Sequence, residues 1–163
     1  MDTYLAIASK RDERRFAERP IPDEVVERIL DAGRLSGNSQ TKQAWHFVVV
    51  ESPDRREQLA QTAYRPSLVR EAALVLAICG RPYDVGRSSQ NMMLAAWNDG
   101  VASCPAGIGD RATAAQVLGL DEEPTMAIAF GYPARPRDPE SRTAEQWSAR
   151  ADRKPLADLV SRV

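Results

Sequence analysis

The chain alternates short apolar runs with polar and charged stretches, and the period of the apolar positions changes from run to run. Val25, Val26, Ile29 and Leu30 recur at the spacing of one helical face behind Asp23 and Glu24, which predicts a helix whose acidic start suits the positive end of its dipole. Leu5, Ile7 and Ala8 predict a shorter helix before it. Residues 47–51 read as a buried strand, and Ser52 and Pro53 then supply a cap and a first-turn residue for another helix. Residues 73–79 form a second apolar strand stopped by Gly80 and Pro82. Residues 84–98 predict the longest helix, with Met92, Met93, Ala96 and Trp97 apolar and Gly100 placed for a left-handed ending. A short strand over 101–104, a loop over 105–109, a helix capped by Asp110 that runs to Leu118, and a strand over 125–130 complete the pattern.

Beyond Gly131 the character changes. Residues 132–139 carry three prolines among polar side chains and cannot lie inside a sheet, so they read as an extended arm. Leu156, Leu159 and Val160 predict a small terminal helix that must pack on something, which suggests a partner subunit. The expected organisation is a single domain over 1–163, with 132–163 as the arm.

Composition narrows the partners. The 163 residues hold 22 basic and 23 acidic side chains, a net charge of −1, so no overall field recruits nucleic acid or a membrane surface. Cys79 and Cys104 lack metal-ligand spacing and read as reduced thiols, and the opening residues lack a secretory pattern; the expected location is the cytoplasm.

Two stretches could carry chemistry. Lys10, Arg11 and Arg14 concentrate positive charge, with Arg11 and Arg14 sharing a face if the turn is helical; the same run also reads as a solvated basic turn. Residues 36–43 offer Asn38, Ser39, Thr41 and Gln43 beside Gly37, either as a ligand-facing polar loop or as a plain turn before a strand. Trp45 reads as core, and His46 as a structural residue at the start of a buried strand. Cys104 lacks a nucleophile signature, and Gly107 and Gly109 do not complete a dinucleotide fingerprint. The backbone there still suits an electron-rich ligand edge at a helix start.

Taken in order, the run 10–16, the segment 38–47 ending in Gln43-Ala44-Trp45-His46-Phe47, the helix sequence 90–96 followed by Gly100, and the run 153–156 resemble the nitroreductase family of FMN-dependent, NAD(P)H-using oxidoreductases. The resemblance implies an α+β fold, a central mostly antiparallel sheet flanked by helices on both faces, in an interlocked homodimer. It implies that Lys10, Arg11 and Arg14 contact the FMN phosphate and pyrimidine side, and that Gly37, Asn38, Ser39 and Thr41 reach the flavin from the second subunit with Gln43 beside them. Pro105, Ala106, Gly107 and Ile108 would lie along the ring, with a backbone N–H toward N5, and Arg153 would close on the phosphate. No side chain is expected to act as a catalytic acid or base, and no metal is expected.

The implied reaction is ping-pong: NADH or NADPH passes hydride to the flavin, and a nitroaromatic, quinone or similar small acceptor then takes two electrons. The alternatives are a related flavin or deazaflavin reaction on the same fold and a non-catalytic flavin-binding or storage dimer. Asp12, Thr41 and Ala44 depart from the family's serine, asparagine and proline, which implies a looser flavin hold. Only residues 80–83 separate the second strand from the long helix, where many relatives carry a helical excursion; its absence implies an open flavin face that takes bulkier acceptors.

Overall fold

The computed structural model describes residues 1–163, which divide into two compact units. The larger comprises Arg11–Arg137 and the smaller Met1–Lys10 with Asp138–Val163.

The larger unit is built on four antiparallel strands in the order β1-β2-β4-β3: β1 (Trp45–Val49), β2 (Leu74–Gly80), β3 (Ala102–Ala106) and β4 (Met126–Gly131). Side chains of a strand alternate between faces, and β2 follows this rule with apolar residues on both. Val75 and Ala77 join a core with Leu59, Leu68, Val69, Ala114 and Ala129, while Leu74, Leu76 and Ile78 join one with Ile29, Met92, Ile128 and Phe130. The first core lies under α3 (Pro53–Thr62), α4 (Pro66–Arg70) and α6 (Arg111–Leu118); the second lies under α2 (Asp23–Arg34) and α5 (Pro82–Asn98). A strand buried on both faces must be apolar throughout, and every residue from Leu74 to Cys79 is buried. The expected α+β sheet with helices on both faces is what the chain forms.

Local chemistry accounts for the helix ends. Ser52 accepts from the Arg55 amide at the start of α3, and Asp110 accepts from the Thr113 amide at the start of α6. Gly100 and Gly119 end α5 and α6 in left-handed conformations (φ 74° and 70°). Only Arg81 separates β2 from α5, so nothing intervenes there as a lid.

Four expectations need correction. The first strand is Trp45–Val49 and lies at the sheet edge, half-buried, with His46 exposed, because only β2 pairs with it. Pro105 and Ala106 belong to β3 and are not loop; an edge strand tolerates the proline's missing N–H. The basic run is not helical: Asp12 pairs in parallel with Ser103 and Phe16 antiparallel with Pro133, so the segment is extended. The terminal helix is only a single 3₁₀ turn, Leu156–Asp158.

In the smaller unit, α1 (Thr3–Ser9) packs against α7 (Ala144–Ala149), a helix the apolar pattern did not predict. A reciprocal cap between Thr143 and Gln146 starts α7, and Trp147 Nε1 donates to the Pro139 carbonyl at 2.7 Å. Leu156, Leu159 and Val160 are exposed.

Candidate functional site

The basic segment is held by backbone. The Glu13 amide donates to the Ser103 carbonyl at 3.1 Å, the Ala17 amide to Tyr132 at 2.8 Å, and the Ala134 amide to Arg15 at 3.0 Å. Phe16 fills the space over Gly131, where a Cβ would sit 2.7 Å from its ring. Along this extended segment Arg11, Glu13 and Phe16 are half-buried, while Asp12, Arg14 and Arg15 are exposed. The segment is not helical, so Arg11 and Arg14 do not share a helical face. Arg137 Nη2 donates to the Glu13 carboxylate at 3.1 Å, which removes that acid from competition for a ligand-facing cation.

The edge strand β3 links this segment to the glycine turn. Asp12 lies beside Ser103, and the strand ends three residues later at Ala106. Among Pro105, Ala106, Gly107 and Ile108, only Gly107 is exposed. Tyr64 frames it: its amide donates to the Gly107 carbonyl at 3.0 Å, and its ring occupies the space where Cβ atoms of Gly107 and Gly109 would stand, 2.8 and 3.1 Å away. Tyr64 is 77% exposed. Nothing in the sequence pattern flagged this tyrosine.

The polar loop is stiff. Asn38 accepts from the Gln43 amide through Oδ1 at 2.7 Å and Gln43 Nε2 donates to the Arg34 carbonyl at 3.2 Å, so both carboxamides hold the loop itself. Asn91 Nδ2 donates to Ser36 Oγ at 2.8 Å, tying the loop to α5. Gln40, Thr41 and Gln43 all take positive φ (55°, 54° and 46°), an expensive conformation for residues with a side chain and one that concentrates in ligand-binding loops. Ser39 and Thr41 are exposed. Gly80, at φ 131°, makes room for the loop's exit, since a Cβ there would lie 2.7 Å from the Ala44 carbonyl.

The two stretches flank opposite edges of the sheet. The loop leads into β1 and the glycine turn follows β3, both at the same end of the sheet, with β2 and β4 between. At about 4.8 Å per strand spacing the edges stand about 14 Å apart. Lys10 ends α1 and Arg153 lies beyond α7, both in the smaller unit. Trp45 stacks on Phe47 at 6.1 Å and is half-buried beside a cavity of about 590 Å³, lined also by Leu30 and Val49.

Burial pushes the Cys79 thiol up, which leaves it protonated and unreactive near neutrality. The Arg70 guanidinium, bonded to the carboxylate at 2.7 Å, holds Glu57 below the usual carboxylate range.

Comparison with known proteins defines the class first. A nitroreductase family protein from Clostridium difficile 630 superposes with a TM-score of 0.82 over 99% of this chain and 98% of that one, at 22% identity. The NADPH:FMN oxidoreductase from Vibrio harveyi, solved with NAD⁺, superposes at 0.77 over 82% of this chain and 70% of that one, at 25% identity. A Methanothermobacter thermautotrophicus protein, provisionally named NADH dehydrogenase/NAD(P)H nitroreductase, is 27% identical over 90% of this chain and 88% of its own length. The family model described as Nitroreductase family matches residues 7–83 and 80–132. The chain belongs to the nitroreductase family, and it is an NAD(P)H-dependent oxidoreductase.

Proposed function

We propose that the protein binds FMN and carries hydride from NADH or NADPH to a nitroaromatic, quinone or similar small acceptor by a ping-pong route. The flavin, when bound, supplies the two-electron chemistry; the protein supplies orientation and charge. The residues present fit that group. Arg11 and Arg14 lie on a segment clipped to β3, and that strand ends at Ala106, just before the exposed Gly107, so cations and an exposed glycine turn adjoin the same edge strand. That arrangement carries the reading. A guanidinium suits a phosphate monoester through paired charge-assisted hydrogen bonds. Lys10 and Arg153 join the phosphate set on the family pattern, and Pro105, Ala106 and Ile108 the ring contacts.

Gly37, Asn38, Ser39, Thr41 and Gln43 complete the site from a second copy. The distance between the two sheet edges supports this: one chain carries its polar loop at the edge away from its own glycine turn. The exposed Leu156, Leu159 and Val160 supply apolar surface for the dimer. The absence of a lid between β2 and α5 leaves room for bulky acceptors.

The test is the visible spectrum of the purified protein, reconstituted with FMN, followed by NADH or NADPH without oxygen. A yellow protein that bleaches on addition of either donor and regains colour with a nitroaromatic supports the proposal. A yellow protein that neither donor bleaches defeats catalysis and leaves a flavin-binding dimer. Light scattering with flavin bound should give twice the 18.0 kDa chain mass.

A further inference from the structure

The first three turns of α5 form a second surface next to the polar loop. Pro82, Tyr83, Gly86, Arg87, Gln90 and Asn91 line a cavity of about 560 Å³, a size suited to a small molecule, and none of the six is acidic. Arg87 is its one cation. Its Nη2 lies where Gly37 would need room for a side chain, 2.6 Å from the position of a Cβ, so the guanidinium rests on the loop backbone. On its other side, the Tyr83 ring stands 5.7 Å from the guanidinium carbon and is 75% exposed. Asn91, which lines the same cavity, holds Ser36 at the root of the loop. The cavity thus continues the surface that the polar loop presents.

We propose that Arg87 binds the phosphate groups of the nicotinamide donor, and so acts as a specificity-determining residue of the reaction. The inference rests on the reading that residues 37–41 face the flavin, because that reading puts Arg87 beside the place where the donor must stack. A guanidinium recognises phosphate oxygens bidentately, and the exposed Tyr83 ring offers a face to a nucleotide base. The acceptors share that place but need carry no phosphate. Arg87 therefore favours the donor over a neutral acceptor and leaves the transfer step to the flavin.

The experiment compares Arg87→Leu and Arg87→Lys with the parent protein, both loaded with FMN. The donors are NADPH, NADH and the phosphate-free 1-benzyl-1,4-dihydronicotinamide. Loss of one charge-assisted contact should lower kcat/KM for NADPH relative to the phosphate-free donor about tenfold in Arg87→Leu, mainly through KM, with partial recovery in Arg87→Lys. The rise of KM with salt should flatten. A reading independent of turnover is the melting temperature with ADP-ribose, which should rise in the parent and not in Arg87→Leu. Equal losses for phosphate-bearing and phosphate-free donors, or no change for either, would overturn the assignment. A parent that oxidises no donor yet is stabilised by ADP-ribose through Arg87 sinks the flavin reading and upholds the phosphate site.

Discussion

Arg56 shows how one side chain secures two elements. Its Nη1 donates to the Ala72 carbonyl at 2.8 Å and its Nη2 to the Val50 carbonyl at 3.2 Å, closing the end of β1 against the approach to β2. Its Nε is buried without a partner, and burial lowers the pKa of the guanidinium. Arg56→Ala strands two carbonyls, and we expect it to cost about 1–3 kcal/mol in urea denaturation. Arg56→Lys should recover part of that loss, since an ammonium reaches one carbonyl but not both in the same geometry. Glu57 and Arg70 nearby make an exposed pair with a pH signature. The Glu57 carboxyl is held down in the folded state, so its contribution is present above the unfolded carboxylate pKa and is lost as pH falls through the lower folded value. The stability gap between the parent and Glu57→Gln should therefore close as pH falls through and below the ordinary carboxylate range, and salt should narrow it at neutral pH. A gap that widens on acidification would contradict the pairing.

Among elements, α2 and α5 pack most closely at Gly33. Met92 and Phe47 already occupy the space where a side chain on Gly33 would go. Gly33→Val should overpack this contact and cost about 1–3 kcal/mol, measured as a lower denaturation midpoint with an unchanged slope. The buried face of α2 was legible because Val25 and Ile29 recur at helical spacing, and β2 and β4 because their apolar runs are long. What escaped reading has physical causes. The extended state of residues 11–17 is set by Ser103 and Tyr132, which are distant in sequence, so local charge spacing could not reveal it. Edge position likewise depends on strand order, and the run Phe47-Val48-Val49-Val50 looks buried until β1 is known to have one neighbour. α4 has only five residues, too few for a period to show. In the candidate site, residue types were legible but their settings were not: Asn38 and Gln43 turned out to brace the loop, while Tyr64 and Arg87 gain meaning only from the glycines they lie against.

At the scale of the whole molecule, strand order makes the sharpest demand. With β1 and β3 at opposite edges, the polar loop and the Gly107 turn of one chain stand apart with two strands between them, and on the proposed reading the loop serves the turn of a second copy. This arrangement predicts complementation between defective subunits. Arg11→Ala combined with Arg14→Ala should remove two of the proposed phosphate cations of one half-site. Ser39→Glu combined with Thr41→Glu should place repelling charge in the other, on two exposed residues where folding tolerates it. Each variant alone should lose flavin and reductase activity. Co-expressed with separate affinity tags, the two chains should pair at random, and about half the dimers should be mixed. A mixed dimer has one site built from two intact halves and one built from two damaged halves. The pooled protein should therefore recover about a quarter of the parent activity, and the doubly purified mixed dimer about half. If the site lay within one chain, both sites of a mixed dimer would be damaged and mixing would restore nothing. Flavin absorbance per dimer gives the same answer without turnover: one flavin for the mixed species if the halves come from different chains, none if they come from the same one.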